Sequence, residues 1–198
     1  MGAVNTLVWE NEGWHGYNTD GYGIEMGLKE KLGANIHGSE VLILGAGGAS
    51  RAAASQCLSG GCQKLWLGNR SVDRLEEVAS ILKTNYPSAN IHSFPLNMFP
   101  SELAEKKNLI IINATSLGLN NEDAQPCDLT LFAASSRIFD MIYNPVKTNF
   151  LQIAEKLGME NANGLSMLVH QAAKALELWT KQKVNINSMY EAVPQNLR

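Results

Sequence analysis

The chain has 198 residues, 45% hydrophobic and 18% charged, with 16 basic against 19 acidic side chains and a net charge of −3. That length buries a sizeable core in one large domain or one and a half small ones, and the mild acidic balance lacks the clustered Lys and Arg that nucleic acid demands. No apolar run approaches bilayer length, no charged-then-apolar leader opens the chain, and Cys57, Cys62 and Cys127 form no CxxC pair. The expectation is a soluble cytoplasmic protein with no nucleic-acid partner, no membrane span, no disulfide framework and no metal site.

Thr6–Glu10 and Trp14–Asn18 are β-prone runs around Asn11-Glu12-Gly13, the pattern of a hairpin. Asn18-Thr19-Asp20-Gly21 then introduces a helix to about Leu32, with Gly33 as its stop. From residue 40 short apolar runs read as strands buried on both faces: Glu40–Leu44, Lys64–Leu67, Ile91–Phe94, Leu109–Asn113 and Arg137–Ile142. Helical segments lie between them. Ala49–Leu58 is Ala-rich and stops at Gly60-Gly61, and Ser71–Tyr86 aligns Leu75, Val78, Ala79 and Leu82 behind Ser71 as cap. Leu165–Lys181 carries Leu168, Val169, Ala172, Ala173, Leu176 and Trp179 at helical spacing, so Trp179 reads as packing. Ser188 and Glu191 have the spacing of a capping box for a last helix. The alternation predicts a Rossmann-like α/β fold, a doubly wound parallel sheet with helices on both faces.

Gly45-Ala46-Gly47-Gly48-Ala49-Ser50 follows the first buried strand and opens a helix. Gly45 permits the tight turn, Gly47 lets backbone approach a pyrophosphate, and the helix N-terminus offers free N–H groups to the anion. Ser50 stands where a third glycine or alanine serves helix–strand packing. The next strand selects the dinucleotide. An NAD site places Asp or Glu about 20 residues on, to accept from the ribose 2′-OH; here Lys64–Leu67 runs into Gly68-Asn69-Arg70-Ser71. A guanidinium at Arg70 suits adenine stacking and a 2′-phosphate, Arg74 adds a second charge one turn later, and NADP is the expected cofactor.

Seven motifs in order carry a family resemblance: Gly2-Ala3-Val4-Asn5-Thr6, Gly16-Tyr17-Asn18-Thr19-Asp20-Gly21, the loop Gly45–Ser50, Asn69-Arg70-Ser71, Asn113-Ala114-Thr115-Ser116-Leu117-Gly118, Asp140-Met141-Ile142-Tyr143-Asn144-Pro145 and Asn163-Gly164-Leu165-Ser166-Met167-Leu168-Val169-His170-Gln171. Over nearly all its length the chain resembles the shikimate dehydrogenase family, including its quinate/shikimate branch. The resemblance implies NADP-linked interconversion of 3-dehydroshikimate and shikimate, a step of aromatic amino-acid and chorismate biosynthesis. It implies substrate contacts at Asn5, Asp20, Tyr143 and Gln171, with Asp20 as the aspartate of an acid–base pair. For the cofactor it implies Asn69, Arg70 and Ser71 at the 2′-phosphate, Asn113, Thr115 and Ser116 in the cleft, and Met141 and Gly164 near the nicotinamide.

The sequence departs from the family at its front. The family's substrate domain of roughly 80 or more residues, with its serines and catalytic lysine, has no counterpart here. Residues 1–18 read as the remnant of that domain's hairpin, and residues 19–198 as the dinucleotide-binding domain with its C-terminal helices. The expectation is weak or absent turnover, and self-association into a homodimer through residues 1–20 where the hairpin edge lacks partners. A stand-alone NADP-binding module and a quinate dehydrogenase remain open alternatives. A glycine-rich module of the glutamyl-tRNA reductase kind is a further one, without the Asn144-Pro145 and Met167–Gln171 motifs. Asn18-Thr19-Asp20-Gly21 could equally serve to cap the helix that follows it. His170 reads as packed or solvent-facing, His15, His37 and His92 show no metal spacing, and the Glu76-Glu77 and Lys106-Lys107 pairs read as solvated faces.

Overall fold

Alternation along the central strands decides which face each side chain covers. The structure is a computed structural model that describes residues 4–120 and 122–198, so Gly2 and Ala3 of the first motif lie outside the described residues. Two antiparallel strands come first, β1 (Thr6–Glu10) and β2 (Gly13–Tyr17), followed by helix α1 (Asp20–Leu32). The remainder alternates: β3 (Glu40–Leu44), α2 (Gly48–Ser59), β4 (Lys64–Asn69), α3 (Val72–Asn85), β5 (Ile91–Pro95), α4 (Ser101–Ala104), β6 (Ile110–Asn113), β7 (Arg137–Asp140), α5 (Asn149–Lys156), β8 (Glu160–Ala162), α6 (Leu165–Thr180) and α7 (Ile186–Ala192).

The six later strands form one parallel sheet in the order β5-β4-β3-β6-β7-β8. The order reverses between β3 and β6, which opens a crevice at the carboxyl ends of the strands. Val41, Ile43, Leu65, Leu67, Ile110 and Ile112 face α1, α2 and α3 in one core layer. Leu42, Leu44, Trp66, Ile111 and Ile138 face Leu103, Phe150, Leu151 and Ala154 in the other. Each fully buried Leu or Ile contributes roughly 1.5–3 kcal/mol, so both layers must be filled for the sheet to persist.

The doubly wound parallel sheet is therefore the one the sequence predicts, and the differences are local. The last predicted strand stops at Asp140, because the Asp140 carboxylate takes the N–H of Ile142 at 3.1 Å and turns the chain. The Asn144–Pro145 peptide that follows is cis. β8 was not anticipated, since Glu-Asn-Ala is not an apolar run. Ser71 occupies the cap position of α3 but makes no side-chain cap bond. The last helix is capped by Asn185, whose side chain accepts from Asn187 N and Ser188 N, so Ser188 lies inside the helix.

Trp179 is 58% exposed, and its indole N–H donates to Leu7 O at 2.8 Å; it clasps the hairpin instead of filling a helix interface. Lys181 pairs with Glu10 beside it. The two charge runs are likewise engaged: Lys106 bridges Glu40 at 2.8 Å and Glu102 at 3.1 Å, and Glu77 pairs with Arg51 at 2.7 Å. His170 is packed, as expected, with Nε2 2.7 Å from Glu30 Oε2. Among the described residues no helix is long and apolar enough to cross a membrane.

Candidate functional site

Two cavities lie along the carboxyl rim of the sheet. The first, of about 230 Å³, is lined by Gly45, Ala46, Gly47, Asn69, Arg70, Arg74, Leu96, Ala114, Thr115, Ser116 and Leu117. Gly45 has φ +117°, and a Cβ there would lie 2.9 Å from the Ala114 carbonyl oxygen, so turn and crowding both demand glycine. Ser50, fully buried in α2, donates its hydroxyl to Gly45 O at 2.7 Å and closes the loop from below. Gly47 is the opposite case. It has ordinary extended backbone, and a Cβ would meet nothing within 4 Å. Its open face lies over the first turn of α2, which carries no acidic residue. Unpaired N–H groups and the positive end of the helix dipole converge there.

Asn69 ends β4 and donates its amide to Ser71 O at 2.9 Å, which tightens the turn that presents Arg70. Arg70 and Arg74 are both exposed, and neither guanidinium has a hydrogen bond or ion pair among the described residues. The glycine cradle, the helix N-terminus and the two unpaired cations suit a dinucleotide carrying an extra phosphate. Asn113 does not reach this cleft. It is wholly buried beneath it, donating to Asp140 Oδ1 at 2.9 Å and Leu117 O at 3.2 Å while accepting from Thr115 N and Oγ1. Gly48, Ala49 and Ser71 lie beside the lining without forming it.

Asp140 is the shared acceptor of this internal frame, accepting also from the Thr148 hydroxyl at 2.6 Å. Burial pushes its carboxyl above the usual range, against the opposing hydrogen bonds from Thr148, Ile142 and Asn113. The frame joins the ends of β6 and β7, which support the first and second cavities respectively.

The second cavity, of about 190 Å³, is lined by Asn5, Asp20, Met141, Tyr143, Gly164, Met167, Leu168 and Gln171. Six of these the sequence singles out, from segments as far apart as the lead-in to β1 and the middle of α6. Asp20 is half-buried, and its Oδ1 accepts from Asn5 Nδ2 at 2.9 Å. The cap reading of this stretch is met in part: Asn18 Oδ1 accepts from the Asp20 N–H at 3.1 Å, whereas Thr19, at the cap position, makes no side-chain cap bond. A Cβ on Gly164 would fall 2.1 Å from the Met141 carbonyl oxygen, so only glycine lets the end of β8 cross that strand exit. Leu96, Ala114, Leu117, Met167 and Leu168 were not singled out. Their apolar character carries no chemical signal, and only their places at strand exits and on the wall-facing side of α6 mark them.

A doubly wound sheet with a glycine loop and helix N-terminus at its switch point, and an Arg pair at the neighbouring strand exit, defines a dinucleotide-binding domain. Comparison with known proteins goes further. Residues 27–127 match the family model described as shikimate/quinate 5-dehydrogenase, and residues 164–193 match the shikimate 5′-dehydrogenase C-terminal domain. The chain is 39% identical over 198 residues to the NADP(+) shikimate dehydrogenase of Staphylococcus haemolyticus, covering all of this chain and 69% of that protein. Among solved structures it is similar to shikimate 5-dehydrogenase of Thermus thermophilus in complex with NADP(H) and shikimate (32% identity, 96% of this chain and 67% of that one, TM-score 0.78). It is also similar to quinate dehydrogenase of Corynebacterium glutamicum in complex with NAD (28% identity, 96% and 67%, TM-score 0.85). The chain belongs to the shikimate/quinate dehydrogenase family. It spans about two thirds of the length of the curated relatives it matches, 63% of one and 69% of another.

Proposed function

We propose that this chain forms the cofactor-binding part, and one wall of the substrate site, of an NADP-dependent oxidoreductase that interconverts 3-dehydroshikimate and shikimate. The observation that carries the choice of cofactor is the exit of β4: two unpartnered guanidinium groups, Arg70 and Arg74, stand where an NAD site needs a carboxylate. Gly45, Ala46, Gly47, Gly48 and Ala49 would hold the pyrophosphate. Asn69, Arg70, Ser71 and Arg74 would hold the 2′-phosphate, and Thr115 and Ser116 the cleft between. Asn113 serves that cleft from beneath, by fixing Thr115. Met141 and Gly164 shape the wall nearest the nicotinamide. When bound, the dinucleotide supplies or takes up the hydride that separates alcohol from ketone.

The chain's own residues then have to orient the substrate and manage a proton. Asp20 accepts from a substrate hydroxyl and stabilises a protonated partner beside it. Tyr143 and Gln171 fix the ring's orientation, and Asn5 serves the same wall by holding Asp20 through its amide. Among the described residues that line this cavity, Asp20 and Tyr143 are the only ionisable groups and none is lysine. We therefore expect the 198 residues by themselves to bind NADP and to turn over slowly. Residues 1–18 we assign to the substrate side and 19–198 to the cofactor domain. Among the described residues β1 and β2 pair only with each other, and Leu7, Trp9 and Trp14 are exposed; this supports self-association through residues 1–20. Three free cysteines suit a cytoplasmic setting.

The test is a turnover assay with shikimate or quinate against NADP or NAD. Slow turnover is expected, fastest with shikimate and NADP. A preference for quinate and NAD would favour the other branch, to which the Corynebacterium glutamicum structure points. Turnover at the rate of the longer relatives would refute the argument from the lysine-free lining. NADP binding without any turnover would favour a stand-alone binding module.

A further inference from the structure

The second cavity is organised by a hydroxyl that does not line it. Thr19 is 2% exposed at the start of α1, and its side chain makes no cap bond to the helix. Its backbone N–H donates to Asn5 Oδ1 at 3.0 Å, its Oγ1 accepts from Asn5 Nδ2 at 3.1 Å, and the same Oγ1 lies 3.2 Å from Gln171 Oε1. A threonine hydroxyl has one proton to give. Asn5 Oδ1 lies 3.3 Å away and already accepts from the Thr6 hydroxyl and from Thr19 N, so the less occupied acceptor is Gln171 Oε1. Asn5, for its part, has both amide hydrogens committed, one to Thr19 and one to Asp20 Oδ1. The lead-in to β1, the start of α1 and the middle of α6 thus meet at one buried oxygen. Gly23 makes the meeting possible: a Cβ there would lie 2.6 Å from Met167 O of α6.

We propose that Thr19 is the positioning residue that sets the polarity of this cavity. By giving its proton to Gln171 Oε1 it turns the Gln171 amide hydrogens toward the cavity, which Asp20 lines as an acceptor. A ligand hydroxyl satisfies both groups at once, donating to Asp20 and accepting from Gln171. A keto or ether oxygen satisfies only Gln171, and an ammonium satisfies only Asp20. The site is therefore selective for a hydroxylated ring at this position. The inference rests on the reading of Asp20 and Gln171 as substrate contacts.

The test compares Thr19→Val, which removes the hydroxyl, with Thr19→Ser, which keeps it. In the free 198-residue chain, 15N relaxation of the Gln171 side-chain amide reports its order directly. We expect order in the wild type and in Thr19→Ser, and an order parameter below about 0.6 in Thr19→Val. Shikimate should shift the same cross-peak, with affinity about fivefold lower in Thr19→Val, the effect of one neutral hydrogen bond. NADP affinity should be equal in all three, which shows that the fold is intact. Retained order in Thr19→Val, or lost order in Thr19→Ser, would overturn the proposal. If order behaves as expected but shikimate moves nothing in the wild type, the substrate reading fails and the positioning of Gln171 by Thr19 stands.

Discussion

Gly47 and Gly164 both line cavities, yet alanine should act on them in opposite ways. At Gly47 a methyl group enters open space on extended backbone, so the protein itself has no steric objection. Losing a good cap residue and gaining a stiffer unfolded chain offset each other to within about 1 kcal/mol. For a protein of this size that is a change in Tm of no more than about 4 °C. The open space is where the pyrophosphate must approach the backbone, and each charge-assisted hydrogen bond lost there costs roughly 1.5–3 kcal/mol. Gly47→Ala should therefore weaken NADP roughly 10- to 100-fold while leaving thermal unfolding nearly unchanged. At Gly164 the new Cβ would stand 2.1 Å from Met141 O and 2.6 Å from its carbonyl carbon, both backbone atoms that cannot rotate away. Overpacking of this kind costs about 3 kcal/mol, a fall in Tm of about 6–12 °C. Calorimetric titration with NADP and thermal unfolding of both variants give the two readouts. Undiminished NADP affinity in Gly47→Ala would refute the placement of the pyrophosphate, and an unchanged Tm in Gly164→Ala would refute the crowding argument.

Asp140 gives a pH prediction. Its folded-state carboxyl titrates above the ordinary 3.8, so its favourable contribution to stability is full below that value. The contribution is lost as pH rises through the raised value. Asp140→Asn should flatten this part of the Tm–pH curve; an unaltered curve would count against a buried, reluctantly charged carboxylate. The thiols should be slow. Burial pushes Cys62 up to about 11 and Cys127 up to about 12, and raises Cys57 further, so thiolate is scarce at pH 7. Alkylation of the native chain should be slow, with Cys62 first; rapid modification of any thiol would contradict the packing.

The central strands were legible because both faces are buried, which leaves unbroken runs such as Val41–Leu44. The glycine loop was legible from its place between strand and helix. The second cavity was not readable from spacing, since Asn5, Asp20 and Gln171 meet only in three dimensions; only the motif resemblance named them. Several polar assignments depend on tertiary context that no local pattern carries. Trp179 finds Leu7 across 172 positions of sequence, and Lys106 finds Glu40 across 66. Asn113 looks like a cleft residue in its motif, but registry with Asp140 across β6 and β7 draws its side chain inward. Thr19 gave no signal, because a threonine at a helix start is ordinary until its partners are seen.

The most direct test of the account is the affinity of the 198-residue chain for NADP and for NAD, measured beside Arg70→Ala. The wild type should bind NADP at least about tenfold more tightly than NAD, the effect of one charge-assisted pair with the 2′-phosphate. Arg70→Ala should remove most of that difference by weakening NADP, and added salt should reduce it, as both guanidinium groups are exposed. Equal affinity for the two cofactors, or equal loss of both in Arg70→Ala, would contradict the account.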